Sequence, residues 1–275
     1  MASQPDWVPA GVDVKRANVA RVYNYLLGGT HNFLVDQDVA RTMLAVEPAM
    51  REIMRANRAF LGRAIRCLTA RGVRQFLDIG SGIPTQGHVH EIAQRSAPDS
   101  RVVYVDIDPV AVAHSQMILR GDDSAACVFG DLREPEAILD HETTRAMIDF
   151  DQPVGLILAA ILHFIPDSSD PAGLVARLTE PMSAGSCVVI SHATDESRRD
   201  TVAALEKVYN RNVSTNGYFR NREDIRELFG DLKMLDPGLV AVSDWRPDPP
   251  GPPPGSERVW GTLVGVARKP AGHDQ

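Results

Sequence analysis

The sequence predicts an α/β fold with an open, mainly parallel sheet and helices on both faces, and three observations carry that prediction. Short apolar runs alternate with helical patterns from residue 76 to residue 191. The first run, Phe76 to Ile79, ends on Gly80-Ser81-Gly82, where a buried strand must turn sharply toward a helix. Asp78 lies inside that run, and Asp106 closes the next one 28 residues later. An acid at the end of a second strand can accept hydrogen bonds from a ribose diol, while glycines in the preceding turn let a ligand approach the main chain. The pair reads as a cofactor half-site.

Taken in order, Ala17 to Leu27 and Val35 to Val46 are predicted helices, separated by Gly28-Gly29-Thr30-His31-Asn32. Pro48 opens a longer helix with Ile53, Phe60, Ile65 and Leu68 among its apolar positions, which Gly72 stops. These helices form an N-terminal section, residues 1–70, ahead of a main domain at 71–275. The alternation follows: strand Phe76 to Ile79, helix His88 to Ala97, strand Val102 to Asp106, helix Pro109 to Leu119, strand Ala126 to Gly130 and helical material from Pro135 to Ile148. Strand Val154 to Ala160, helix Pro171 to Met182 and strand Ser186 to Ser191 complete it. Beyond lie a helix at Asp200 to Arg211, a helix at Glu223 to Phe229 capped by Asn221, and strands at Leu239 to Trp245 and Val259 to Ala267. The proline-rich joint between those strands, Arg246 to Arg258, is expected to be extended, and the tail from Pro270 frayed.

Composition narrows the function classes. A formal net charge of −7 argues against a nucleic-acid surface, which needs a clustered basic face, and the arginines at 51, 55, 58, 63 and 66 read as a solvated helix face. Cys67, Cys127 and Cys187 stand far apart without a Cys-x-x-Cys pair, so neither a disulfide framework nor a zinc site is expected. The first residues lack a signal-peptide pattern, and no apolar run approaches the ~20 residues needed to cross a bilayer, so a cytoplasmic protein without membrane partners is expected.

The motifs Asp78-Ile-Gly-Ser-Gly, Asp106 after the second strand, Gly130-Asp131-Leu132 after the third and Ala160-Ile-Leu-His-Phe-Ile-Pro-Asp after the fourth resemble those of class I S-adenosylmethionine-dependent methyltransferases. More narrowly, the segment from Arg21 to Phe33, with Arg55-Ala-Asn-Arg-Ala-Phe-Leu and Gly82-Ile-Pro-Thr-Gln-Gly, resembles a family of methyltransferases catalogued as a domain of unknown function. The resemblance implies a Rossmann-like, seven-stranded sheet whose last strand is antiparallel, with an N-terminal helical cap, and S-adenosyl-L-methionine as cofactor. By the same analogy Gly80, Ser81 and Gly82 line the methionine part, Asp106 holds the ribose and Ile107 touches the adenine. Asp131 and Leu132 flank the adenine, and Ala159 and Ala160 lie near the methionine end. One departure is Pro84, where the family loop has its third glycine.

The remaining candidates rest on residue chemistry. His163, after an apolar strand, is either a general base or a hydrogen-bonded histidine shaping the pocket floor, the latter reading being preferred. His192 and His31 are weaker catalytic candidates. Tyr23 and Tyr25 on the first helix, with Gly28, Gly29 and Asn32 after it, suit a lid over a pocket, and Arg58 with Asn57 can present donors to a carboxylate. The expected activity is methyl transfer to a small-molecule acceptor, which needs alignment more than acid–base machinery. The alternatives are a non-catalytic protein on the same scaffold and a nicotinamide-dependent oxidoreductase, although Thr85 occupies the last glycine position of a dinucleotide loop.

Overall fold

Buried parallel strands must be apolar on both faces, and the core of this protein is built on that requirement. The computed structural model describes residues 13–83, 87–196, 198–213, 215–249 and 260–271. Strands β1 (Gln75–Ile79), β2 (Arg101–Asp106), β3 (Ala125–Phe129), β4 (Val154–Ala159) and β5 (Cys187–Ala193) run parallel in the order β3-β2-β1-β4-β5. β8 (Thr262–Arg268) then pairs antiparallel with β5 over its whole length. The antiparallel last strand is therefore as expected. The edge position beyond it is divided between β6 (Lys233–Met234) and β7 (Val240–Ala241), both paired with β8, which makes eight strands instead of seven.

Residues of alternate parity serve the two faces. On one face Phe76, Val102, Ile157, Val189 and Val266 meet α3 (Met50–Thr69) through Phe60, Ile65 and Leu68. On the other Leu77, Val103, Leu156 and Val188 meet α8 (Pro171–Thr179) and α10 (Arg222–Glu227). The expected strand at Leu239 to Trp245 stops after two residues because the chain turns back onto α3. There Trp245 packs edge-on to Phe60, with ring centroids 5.4 Å apart, and the Arg63 guanidinium donates to the carbonyls of Val242 and Trp245. The helical stretch expected over Pro135 to Ile148 is two helices, α6 (Pro135–Leu139) and α7 (Glu142–Met147). Helices α4 (Val89–Ser96) and α5 (Pro109–Ile118) fall where the pattern puts them, the latter capped by Asp108 with Pro109 in its first turn. Asn221 caps α10 by accepting from Asp224 N–H.

The N-terminal helices α1 (Val19–Leu26) and α2 (Leu34–Val46) share an apolar cluster with α9 (Arg199–Asn212), through Val22, Leu26, Val39, Met43, Leu205 and Val208. Met50, at the start of α3, belongs to this cluster and Met54 packs against it, whereas Phe60, Ile65 and Leu68 farther along α3 belong to the sheet. α3 thus packs against both the sheet and the N-terminal helices, and α9, from the C-terminal half, completes the α1–α2 cluster. A buried ion pair, Arg21 to Asp36 at 3.2 Å, ties α1 to α2, and Asp36 also accepts the backbone N–H groups of Asn18 and Phe33. Among the described residues no helix is long and apolar enough to cross a membrane. Pro84, Thr85, residues 250–259 and the tail from 272 lie outside the described residues, so the readings of the departing proline, most of the proline-rich joint and the chain end rest on sequence alone.

Candidate active site

The carboxyl ends of β1, β2, β4 and β5 open into one cavity of about 670 Å³ beneath α1 and α9. That is a size common to small-molecule sites, which run ~300–1,000 Å³. At its sheet end β1 delivers Gly80, Ser81 and Gly82. Gly80 and Gly82 both have positive φ, +74° and +68°, where side chains are disfavoured. A Cβ at Gly80 would come within 2.7 Å of the Ile161 side chain, whereas at Gly82 the space is open. The Gly82 N–H donates to Asp106 Oδ2 at 2.7 Å and the Asp108 N–H to Asp106 Oδ1 at 2.8 Å, so the acid at the end of β2 holds the glycine turn in shape. Each carboxylate oxygen retains a lone pair for a further donor.

Two buried acids charge this end. Burial pushes Asp106 up to about 6, partly opposed by the backbone N–H groups of Asp108 and Gly82. Burial likewise pushes Asp78 up to about 7, with Arg58 lowering and Asp106 raising it. Period two along β1 puts Asp78 on the same face as Phe76, the side covered by α3, which carries Arg58. Ile107 is 46% exposed, which leaves its side chain available to an apolar ring. Leu132, Ala159 and Ala160 are also on the wall, Ala160 with φ of 57° at the exit of β4. Asp131 is on the wall too, but its carboxylate is gripped by the Arg133 side chain and backbone N–H. Although its burial acts upward, those hydrogen bonds hold its pKa below the usual value.

His163 lines the cavity, yet its chemistry argues against a base. Burial, then the Arg220 charge, lowers its pKa to about 3, so the ring is neutral and a feeble proton acceptor. Its Nδ1 faces the Ala193 N–H at 3.4 Å. His192 is used on both nitrogens: Nδ1 donates to the Ala193 carbonyl and Nε2 accepts from Arg220. Arg220 was missed by sequence reasoning. Almost wholly buried, it donates to the carbonyls of Leu162 and Ile165, to His192 and to Asp167, and so fixes the loop after β4. No local signal marks it, because its partners are more than 25 residues away.

The lid candidates divide. Tyr23 and Arg58 reach the wall, with the Tyr23 hydroxyl accepting from Asn57 Nδ2 and donating to the Met54 carbonyl. Tyr25, Gly28, Gly29 and Asn32 do not. Their turn is wrapped around Asn24, whose side-chain oxygen accepts from the His31 N–H and Asn32 Nδ2, and a Cβ at Gly29 would collide with Asn24 at 2.3 Å. Tyr25 instead lies under the Arg51 guanidinium. His31 stands against His114 of α5, with ring centroids 3.7 Å apart. Among the described residues no group of three or more His, Cys, Asp or Glu side chains gathers to hold a metal ion.

A family model described as S-adenosyl methyltransferase matches residues 5–270 of this chain. The chain belongs to that family. Among solved structures, a candidate methyltransferase from Thermobifida fusca YX is 35% identical with a TM-score of 0.90, covering 97% of this chain and 100% of that chain. A DUF574 family protein from Streptomyces avermitilis is 38% identical with a TM-score of 0.89, covering 94% and 99%. An O-methyltransferase family protein from Burkholderia thailandensis, 11% identical with a TM-score of 0.51 over 90% of this chain and 64% of that chain, shares the fold. No match is found among curated proteins. Family membership makes this protein a class I S-adenosylmethionine-dependent methyltransferase. The residues present fit the family's cofactor. Among the described residues nothing stands within 4 Å of a Cβ at Gly82 and Ser81 Oγ has no hydrogen-bond partner, so a ligand can reach the main chain there, and Asp106 closes β2.

Proposed function

We propose that this methyltransferase acts on a small-molecule acceptor enclosed between the sheet and the α1–α2–α9 cap. The observation that carries the reading is the continuity of one cavity, from the Gly80–Gly82 turn and Asp106 to side chains of α1 and α9. When bound, S-adenosylmethionine supplies an electrophilic methyl group on a sulfonium. In this reading Asp106 accepts the ribose hydroxyls, Ile107 and Leu132 cover the adenine, and Gly80, Ser81, Ala159 and Ala160 surround the methionine portion. Asp131, already engaged by Arg133, borders the adenine edge. Asp78 and Arg58 provide opposite charges for the amino-acid end, and Tyr23 closes the cavity from above. His163 holds its place in the wall and takes no proton, which suits a transfer driven by alignment.

Calorimetric titration with S-adenosylmethionine, and separately with NAD, tests the cofactor. Asp106→Ala should weaken binding of the former at least ~100-fold, since two hydrogen bonds to a charged acceptor contribute about 1.5–3 kcal/mol each. Binding of NAD alone would defeat the reading.

A further inference from the structure

Beside the glycine-turn residues, the same cavity is lined by rings drawn from separate parts of the chain. Phe164 follows β4, Tyr209 is on α9, Phe219 follows α9, and Trp260 precedes β8. Phe164 meets Tyr209 edge to face with centroids 5.6 Å apart, and Tyr209 meets Phe219 at 6.4 Å and 87°. Phe164, Tyr209 and Phe219 thus pack edge to face as one aromatic cluster on the cavity wall, to which Trp260 adds a fourth ring. All four are only partly buried, and all four line the cavity.

Charge then limits the occupant. The wall's acids, Asp78, Asp106 and Asp131, all stand at the glycine-turn end, and among the described residues none faces the rings. One side of Trp260 already carries a cation, the Arg198 guanidinium 4.7 Å from its centroid, itself paired with Glu47 at 3.1 Å. Arg220 lies behind His163. With Arg198 paired to Glu47 and Arg220 to Asp167, an ammonium group beside these rings would find no wall carboxylate left to pair with among the described residues, and one side of Trp260 already taken.

We propose that the acceptor is a flat aromatic molecule, neutral or anionic, whose ring lies in the cavity against Phe164, Tyr209, Phe219 and Trp260. This rests on the methyl-transfer reading, because Phe164 stands four residues beyond Ala160, at the end assigned to the methionine portion.

The test compares two ligands of like size that carry the same hydroxyl, 2-naphthol and decahydro-2-naphthol, by calorimetry on the full chain saturated with S-adenosylhomocysteine. Choline serves as a cationic probe. Aromatic contact should favour 2-naphthol about tenfold. Phe219→Leu should erase most of that preference while leaving S-adenosylhomocysteine affinity unchanged. Equal or tighter binding of decahydro-2-naphthol, or preferential binding of choline, would overturn the aromatic contact and leave the methyl-transfer reading standing. Failure of S-adenosylhomocysteine to bind would instead remove that reading and the proposal with it. The two-ligand comparison needs only the native protein, so a variant that fails to fold does not decide it.

Discussion

Gly80→Ala probes how tightly β1 and the loop after β4 are interlocked. At φ +74° an alanine is in left-handed backbone, which costs about 1–2 kcal/mol. Its Cβ would also lie 2.7–2.9 Å from Cγ1, Cδ1 and Cβ of Ile161. Because Ile161 Cβ is fixed to the main chain, the conflict cannot be relieved by swinging a side-chain tip, and overpacking of this kind costs about 1–3 kcal/mol. The single variant should therefore lose about 2–5 kcal/mol. Ile161→Gly removes all three clashing atoms and leaves the backbone part, so in that background Gly80→Ala should cost only about 1–2 kcal/mol. Urea denaturation of the wild type, both single variants and the double variant without cofactor measures the coupling. Equal costs in the two backgrounds would refute the contact with Ile161, and a silent Gly80→Ala would refute the turn geometry as well.

Three further outcomes follow from the site. S-adenosylmethionine affinity should fall by up to about tenfold per pH unit below about 6, where Asp106 becomes protonated and accepts fewer hydroxyls; calorimetry at pH 7.5 and 5 reads it, and a flat profile would exclude Asp106 as the ribose acceptor. The sign for folding is opposite: an acid raised in the folded state favours folding at low pH and loses that contribution as pH rises through about 6. NMR titration of His163 should show no protonation above pH 5, and a midpoint near 6.5 would restore it as a candidate base. Arg220→Met strands the carbonyls of Leu162 and Ile165 and should cost roughly 2–5 kcal/mol, while Asp167→Ala, at an exposed carboxylate, should cost under about 1 kcal/mol; equal losses in thermal unfolding would shift the anchoring role to the ion pair.

The sheet from β1 to β5 was legible because a strand covered on both faces must be apolar throughout, as Val154–Ala159 is. β6 was not, since two paired residues leave no pattern, and β7 was overestimated because nothing local shows that Trp245 folds back onto Phe60. The same divide runs through the site. Gly82 and Asp106 were readable because turn and strand end are local features, and their mutual hydrogen bond follows from adjacent strands. Arg220, Tyr209 and Trp260 were not, because sheet topology alone brings their segments together. The Gly28-Gly29 turn was visible as a break, yet its cause is Asn24, which requires glycine at 29 by proximity rather than by any ligand.

The cap core has a consequence for synthesis on the ribosome. Its first two helices emerge early, but α9, which covers them, follows roughly 150 residues later, a wait of about 8–30 s at 5–20 residues per second. Throughout that interval Val22, Leu26, Val39 and Met43 lack the apolar surface of Leu205 and Val208 that buries them in the finished molecule. A nascent chain halted before Arg199 would carry that face uncovered, a ready target for holdase chaperones and a source of aggregation in truncated products.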